Sequence, residues 1–194
     1  MTLTFLDCET TYQVINGKKD PSPYNPNNKL VSVAYCSLSI DDFLKHWVKN
    51  INPPINFLLF YHVVSERGVQ SENIVSTDSQ IQNKQQLQEV LNNTTELVCH
   101  HTKFDLAWLW ESGFKYTGSI DCTMNRQYVL NRGVKKSISL ESLCEQYKLG
   151  ISKRMDLIQD YLDDNISMES LICYKCLVIK TMQKSKWGLS TYLP

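Results

Sequence analysis

The order of the apolar runs is the feature that most narrows the fold. Residues 2–8 (TLTFLDC), 29–36 (KLVSVAYC) and 56–64 (NFLLFYHVV) are short, β-prone and come first. Residues 10–28 hold Gly17, Pro21, Pro23, Pro26 and several Asn, which predicts a loop. INPP at 51–54 keeps a helix from running into the third strand. The period then changes. Helices are predicted over about 79–92 and 103–112, with a strand at 96–100 and a brief one ending near Asp121. Residues 122–131, 139–148, 156–164 and 167–185 show helical spacing, with Ser137 and Ser139 available as caps. Strands that follow one another directly make an antiparallel meander, and strands separated by helices make parallel crossovers. The expectation is an α/β chain with a mixed five-stranded sheet, antiparallel meander first and parallel strands after, flanked by helices. No repeat or linker interrupts it, so 1–194 is expected to form a single domain.

Composition serves mainly to exclude. A chain of 194 residues that is 42% hydrophobic and 10% aromatic is neither disordered nor low in complexity. No apolar run approaches a membrane span, and residues 1–15 lack a signal-peptide layout, so no membrane partner and a cytoplasmic location are expected. If the source is a virus, that means the host cytoplasm. Lys plus Arg and Asp plus Glu each number 20, a zero net charge that by itself speaks against nucleic acid. The zero is a sum of unlike parts, however. Residues 126–154 carry seven basic residues against Glu141 and Glu145, whereas 155–170 carry five acids and no base.

The seven cysteines are odd in number and widely spaced, which suits reduced thiols. Cys173 and Cys176 form a C-x-x-C within a helical run. It is open to three readings: half a zinc site completed by Cys99, His100 or His101, a redox pair, or small buried hydrophobes.

Three carboxylates stand out by position. Asp7 and Glu9, two apart on the first strand, share one face and lie at its C-terminal end, where open sheets gather their sites. Asp105 sits one turn into the helix that follows the strand 96–100 directly. Each has a plainer reading, as a solvated acid or as a helix-start acid favoured by the macrodipole.

Taken together, these segments resemble the DnaQ-like, or DEDD, family of 3′–5′ exonucleases. FLDCETT at 5–11 is similar to the family's first motif, and HHTKFDLAWL at 100–109 to its second. PSPYNPNNKLVSV, WLWESGF and DCTMNRQYVL look most like the proofreading exonuclease domain of bacteriophage family A DNA polymerases. The resemblance implies a ribonuclease H-like fold. It also implies phosphodiester hydrolysis with two divalent ions, Mg²⁺ or Mn²⁺. Such ions neutralise an anionic substrate and activate water, and hard oxygen ligands suit them. By carry-over Asp7 bridges both ions, Glu9 holds the one that activates water, and Asp105 serves the other. The implied partners are a single-stranded DNA 3′ end and a separate polymerase subunit.

The family's third motif is Tyr, three residues, then Asp. Its counterpart is SMESLICYKCLVIKTM, 167–182, with Tyr174 as the tyrosine that positions water. Val178 stands where the Asp belongs, a shift by one gives Leu177, and no carboxylate side chain follows Glu169. One ligand is therefore expected to be missing, and activity to be impaired. The alternative is a degenerate module that binds nucleic acid or a polymerase. Leu6, Cys8, Thr10 and Thr11 flank the first motif as candidate contacts to the terminal sugar and phosphate. Phe104 is read either as a stacking ring or as core. His101 stands where the family usually has Asn, either hydrogen-bonding substrate or satisfied in the interior. The chain ends soon after the third motif, with a separate exonuclease gene, a split polymerase and a truncated product as the alternatives.

Overall fold

A computed structural model of the chain describes residues 1–49, 54–60, 64–66, 69–71, 76–132, 134 and 136–146. In chain order the elements are β1 (Thr2–Thr10), β2 (Gln13–Ile15), β3 (Lys18–Asp20), β4 (Leu30–Ser39), α1 (Ile40–Lys49), β5 (Asn56–Leu59), β6 (Val64–Glu66) and β7 (Val69–Ser71). They continue with α2 (Thr77–Asn92), β8 (Glu96–Cys99), α3 (Thr102–Glu111), β9 (Ser119–Cys122), α4 (Thr123–Leu130) and α5 (Leu140–Gln146).

Five strands form one mixed sheet in the order β5-β4-β1-β8-β9. β4 runs antiparallel to both β1 and β5, and β8 runs parallel to both β1 and β9. This is the expected meander followed by crossovers. β1 is the central strand and is buried on both faces. Its alternation sends Leu6 and Cys8 into one cluster with Leu87 and Leu91 of α2 and Leu106 and Leu109 of α3. Leu3 and Phe5 enter the other with Phe43 of α1 and Leu140 of α5. Each such fully buried side chain contributes about 1.5–3 kcal/mol, which is what holds β1 in register.

Three elements differ from expectation. The loop expected over 10–28 contains the hairpin β2–β3, turned by Asn16 and Gly17, both in the left-handed region with φ 52° and 76°. That pair is what a two-residue type I′ turn requires. α1 follows β4 without a break, begun by Ser39, whose hydroxyl accepts the Asp42 N–H at 3.0 Å. The third strand ends at Leu59, and a short ribbon, β6–β7, lies in the polar stretch beyond it. The helices expected over 156–164 and 167–185 lie outside the described residues.

Candidate active site

The two sides of β1 are bonded unequally. Toward β4 its register runs from Thr2 to Thr10, with an irregularity between Glu9 and Thr10. Toward β8 the ladder covers Leu3, Thr4 and Phe5 and then stops. The Thr2 carbonyl accepts the Thr95 N–H at 2.9 Å, so the even-numbered residues of β1 turn their backbone groups toward β8. Past the end of that ladder, the Cys8 N–H emerges where no strand faces it among the described residues.

Asp105 takes that place. Its Oδ1 accepts the Cys8 N–H at 3.1 Å, and the residue is 3% exposed. It is brought there because β8 ends at Cys99, His100 and His101 turn the chain, and α3 begins at Thr102. The first turn closes when the Phe104 and Asp105 N–H groups both donate to the His101 carbonyl, at 2.8 and 3.2 Å. A carboxylate in that turn is favoured by the helix dipole. Asp7 and Glu9, both half-buried, continue the Leu3–Phe5 face of β1. Asp105 thus ties the second carboxylate segment to the residue lying between the two acids of the first.

The Cys99 thiol registers this crowding. Burial first, and the Asp105 carboxylate next, push it well above the usual thiol range, with Cys8 and Asp7 adding to the effect. The ends of β8 and β9 are stitched beside it. The Thr102 hydroxyl donates to the Asp121 carbonyl at 3.1 Å, and His100 Nδ1 lies 2.9 Å from Thr123 Oγ1. Arg126, one of the basic residues flagged in sequence, pairs with Asp121 at 2.6 Å. The site region therefore lies at the C-terminal ends of the three parallel strands, where such sheets place their sites.

The donor chemistry fits a hard divalent cation, since Asp7, Glu9 and Asp105 offer oxygen ligands. Among the described residues, no three His, Cys, Asp or Glu side chains stand together as a ready cage. Tyr174, Leu177, Val178, Cys173 and Cys176 lie outside the described residues. Cys8, Cys36, Cys99 and Cys122 are free thiols.

The remaining candidates divide by burial. The Leu6 side chain is fully buried, so any contact it makes with a ligand falls to its backbone. Cys8 commits its N–H to Asp105, Thr10 is buried, and the Thr11 hydroxyl accepts the Lys29 N–H at 2.7 Å. His101 is exposed, and its ring lies nearly parallel to that of Phe104, centroids 6.0 Å apart. Phe104 is half-buried against the core and meets Trp108 edge-on. Both sequence readings of Phe104 thus describe part of it. Sequence reasoning missed Trp108, whose Nε1–H donates to the Pro21 carbonyl at 3.1 Å and fastens α3 to the segment after β3. No local signal marks it, because the bond spans the fold.

Residues 62–185 match the family model described as 3′–5′ exonuclease, more than half of the chain and a stretch that includes Asp105 and Tyr174. No curated protein sequence matches. Among solved structures the chain is similar to Brucella melitensis NrnC with bound Mg²⁺, at 17% identity and a TM-score of 0.55. That likeness covers 97% of this chain and 72% of the other. A structure described as the apo form of a nuclease is 15% identical with a TM-score of 0.52, covering 98% and 75%. At these identities the likeness establishes the fold, a ribonuclease H-like one as expected. With that fold and a matching family model, the chain belongs to the DnaQ-like 3′–5′ exonucleases, divalent-metal-dependent hydrolases of phosphodiester bonds.

Proposed function

We propose that the chain removes nucleotides from the 3′ end of single-stranded DNA, in proofreading fashion beside a separate polymerase subunit, with two Mg²⁺ or Mn²⁺ ions. The observation that carries this reading is the bond from the Cys8 N–H to Asp105, which joins the two carboxylate segments at one end of β1. Asp7, Glu9 and Asp105 hold the metal. When bound, the ions neutralise the phosphodiester and supply an activated water. Asp105 is anchored to β1 by its bond to the Cys8 N–H. Tyr174 orients the water, His101 and Phe104 offer ring surface to the terminal base, and the backbone of Leu6, Cys8, Thr10 and Thr11 faces the terminal sugar and phosphate.

Val178 in the place of the third-motif Asp leaves the ligand set one short, so the rate is reduced. The same substitution favours a second reading: a module that binds a strand with little turnover. A 3′-terminal single strand labelled at its 5′ end separates the two. Slow, chelator-sensitive shortening that Val178→Asp accelerates and Asp7→Asn abolishes is the expected result. Salt-dependent binding with no shortening by either the natural chain or Val178→Asp establishes the second reading. DNA and RNA strands compared side by side fix the substrate.

A further inference from the structure

The segment between β1 and β4 is built as a fixed projection. Its base is closed by the Thr11 N–H on the Lys29 carbonyl at 2.9 Å and the Lys29 N–H on the Thr11 hydroxyl at 2.7 Å. The returning limb is folded on itself. Asp20 accepts from the Ser22 N–H and from Asn25, while Asn28 donates to the Asp20 and Ser22 carbonyls at 2.9 and 2.8 Å. The Trp108 bond to Pro21 then pins that limb to α3. The projection is therefore held by both elements that carry the site's acids, β1 and α3.

What it holds out is the ribbon β2–β3. A two-stranded ribbon is marginal by itself, so its conformation depends on this base and on the Asn16-Gly17 turn. Val14, Ile15, Lys18 and Lys19 are all exposed on it. Val14 faces Lys19 and Ile15 faces Lys18 across the pair, so the two lysines point to opposite faces. Lys19 Nζ is placed 4.5 Å above the Tyr12 ring, which limits its wandering. Residues 11–29 contain Lys18, Lys19 and Lys29 against one acid, Asp20, and that acid is engaged in the base.

We infer that the β2–β3 ribbon is a nucleic-acid contact, the strand that enters the site passing over its tip with Lys18 and Lys19 on phosphates from either face. The inference rests on the exonuclease reading above and adds to it the element that brings the substrate in. A site lined by carboxylates repels an anionic strand, and a chain of zero net charge has no general attraction to offset that. Cations one hairpin away from Asp7 and Glu9 supply it locally. Exposed Val14 and Ile15 at the turn add apolar surface for sugars or bases, and the pinned base keeps all four at a fixed offset from the carboxylates.

The test compares the natural chain with Lys18→Ala/Lys19→Ala and Lys18→Arg/Lys19→Arg, using a fluorescent single-stranded oligothymidylate in chelator across a salt series. The Ala pair is expected to weaken binding about tenfold at low salt and to flatten the log–log salt slope by about 1.4. Its loss in cleavage falls on KM rather than kcat, and the Arg pair retains natural behaviour. An unchanged affinity and slope in the Ala pair overturns the inference and leaves the exonuclease reading standing. Normal binding without cleavage by the natural chain strikes the exonuclease reading instead. A natural chain that neither binds the strand in chelator nor shortens it with Mg²⁺ or Mn²⁺ overturns both.

Discussion

The first half of β1 and its second half are the same strand under different support. From Leu3 to Phe5 it is bonded by strands on both sides and buried on both faces. From Leu6 to Thr10 one side is still paired with β4, but on the other the ladder to β8 has run out, and at Cys8 a side chain from α3 takes over. The first half is stability without chemistry. In the second, a helix-borne carboxylate takes the backbone N–H that a neighbouring strand would otherwise pair, at the residue lying between Asp7 and Glu9. A central strand that outruns its parallel neighbour is thus a physical means of opening a site in the middle of a sheet.

If this division holds, substitutions should separate activity from stability. Asp105→Asn should produce the largest effect, a loss of several orders of magnitude in exonuclease rate with little change in melting temperature. The amide oxygen still accepts the Cys8 N–H, while the charge is gone. Single-turnover cleavage and a thermal melt check the two halves of the statement, and an unstable Asn variant would contradict it. Phe5→Ala should do the reverse. It removes a fully buried ring stacked on Phe43 at 5.5 Å between centroids, at a cost of about 3–5 kcal/mol in denaturant unfolding. Asp105→Ala should combine both losses, since it strands the Cys8 N–H at a cost of about 1–3 kcal/mol.

The smallest expected effect lies at the β8–β9 edge. The Tyr116 hydroxyl donates to the Ser119 carbonyl at 2.6 Å and reaches the Thr95 carbonyl at 3.3 Å. Burial first, then the Glu96 charge, raises its phenol above the ordinary value. The native state therefore favours the neutral phenol. Its contribution is complete below the unfolded pKa of about 10 and is lost as pH rises through the higher native value. Tyr116→Phe should flatten that alkaline decline, as followed by urea midpoints across pH, without touching cleavage at neutral pH.

The strands and helices of the sheet layers were legible because their apolar spacing is set by burial, and burial acts on each segment alone. The hairpin β2–β3 was equally local: Asn16-Gly17 is its signal, but the prolines and asparagines around it read as a loop. α1 escaped because it starts where β4 ends, with Ser39 serving as both last strand residue and cap. The acids at Asp7, Glu9 and Asp105 could be named from order and spacing, as could the exonuclease family. Their arrangement could not, because no periodicity says where β8 stops relative to β1.

By itself, then, the sequence determined the antiparallel-then-parallel run of strands and the exonuclease family. These follow from alternation, chain order and residue chemistry. Tertiary structure alone decided that the β8 ladder ends at Phe5, that Asp105 occupies the gap at Cys8, and that Trp108 fastens the Lys18–Lys19 ribbon to the site helix. Each of these joins residues far apart in the chain, and such bonds depend on the register of whole elements packed against one another.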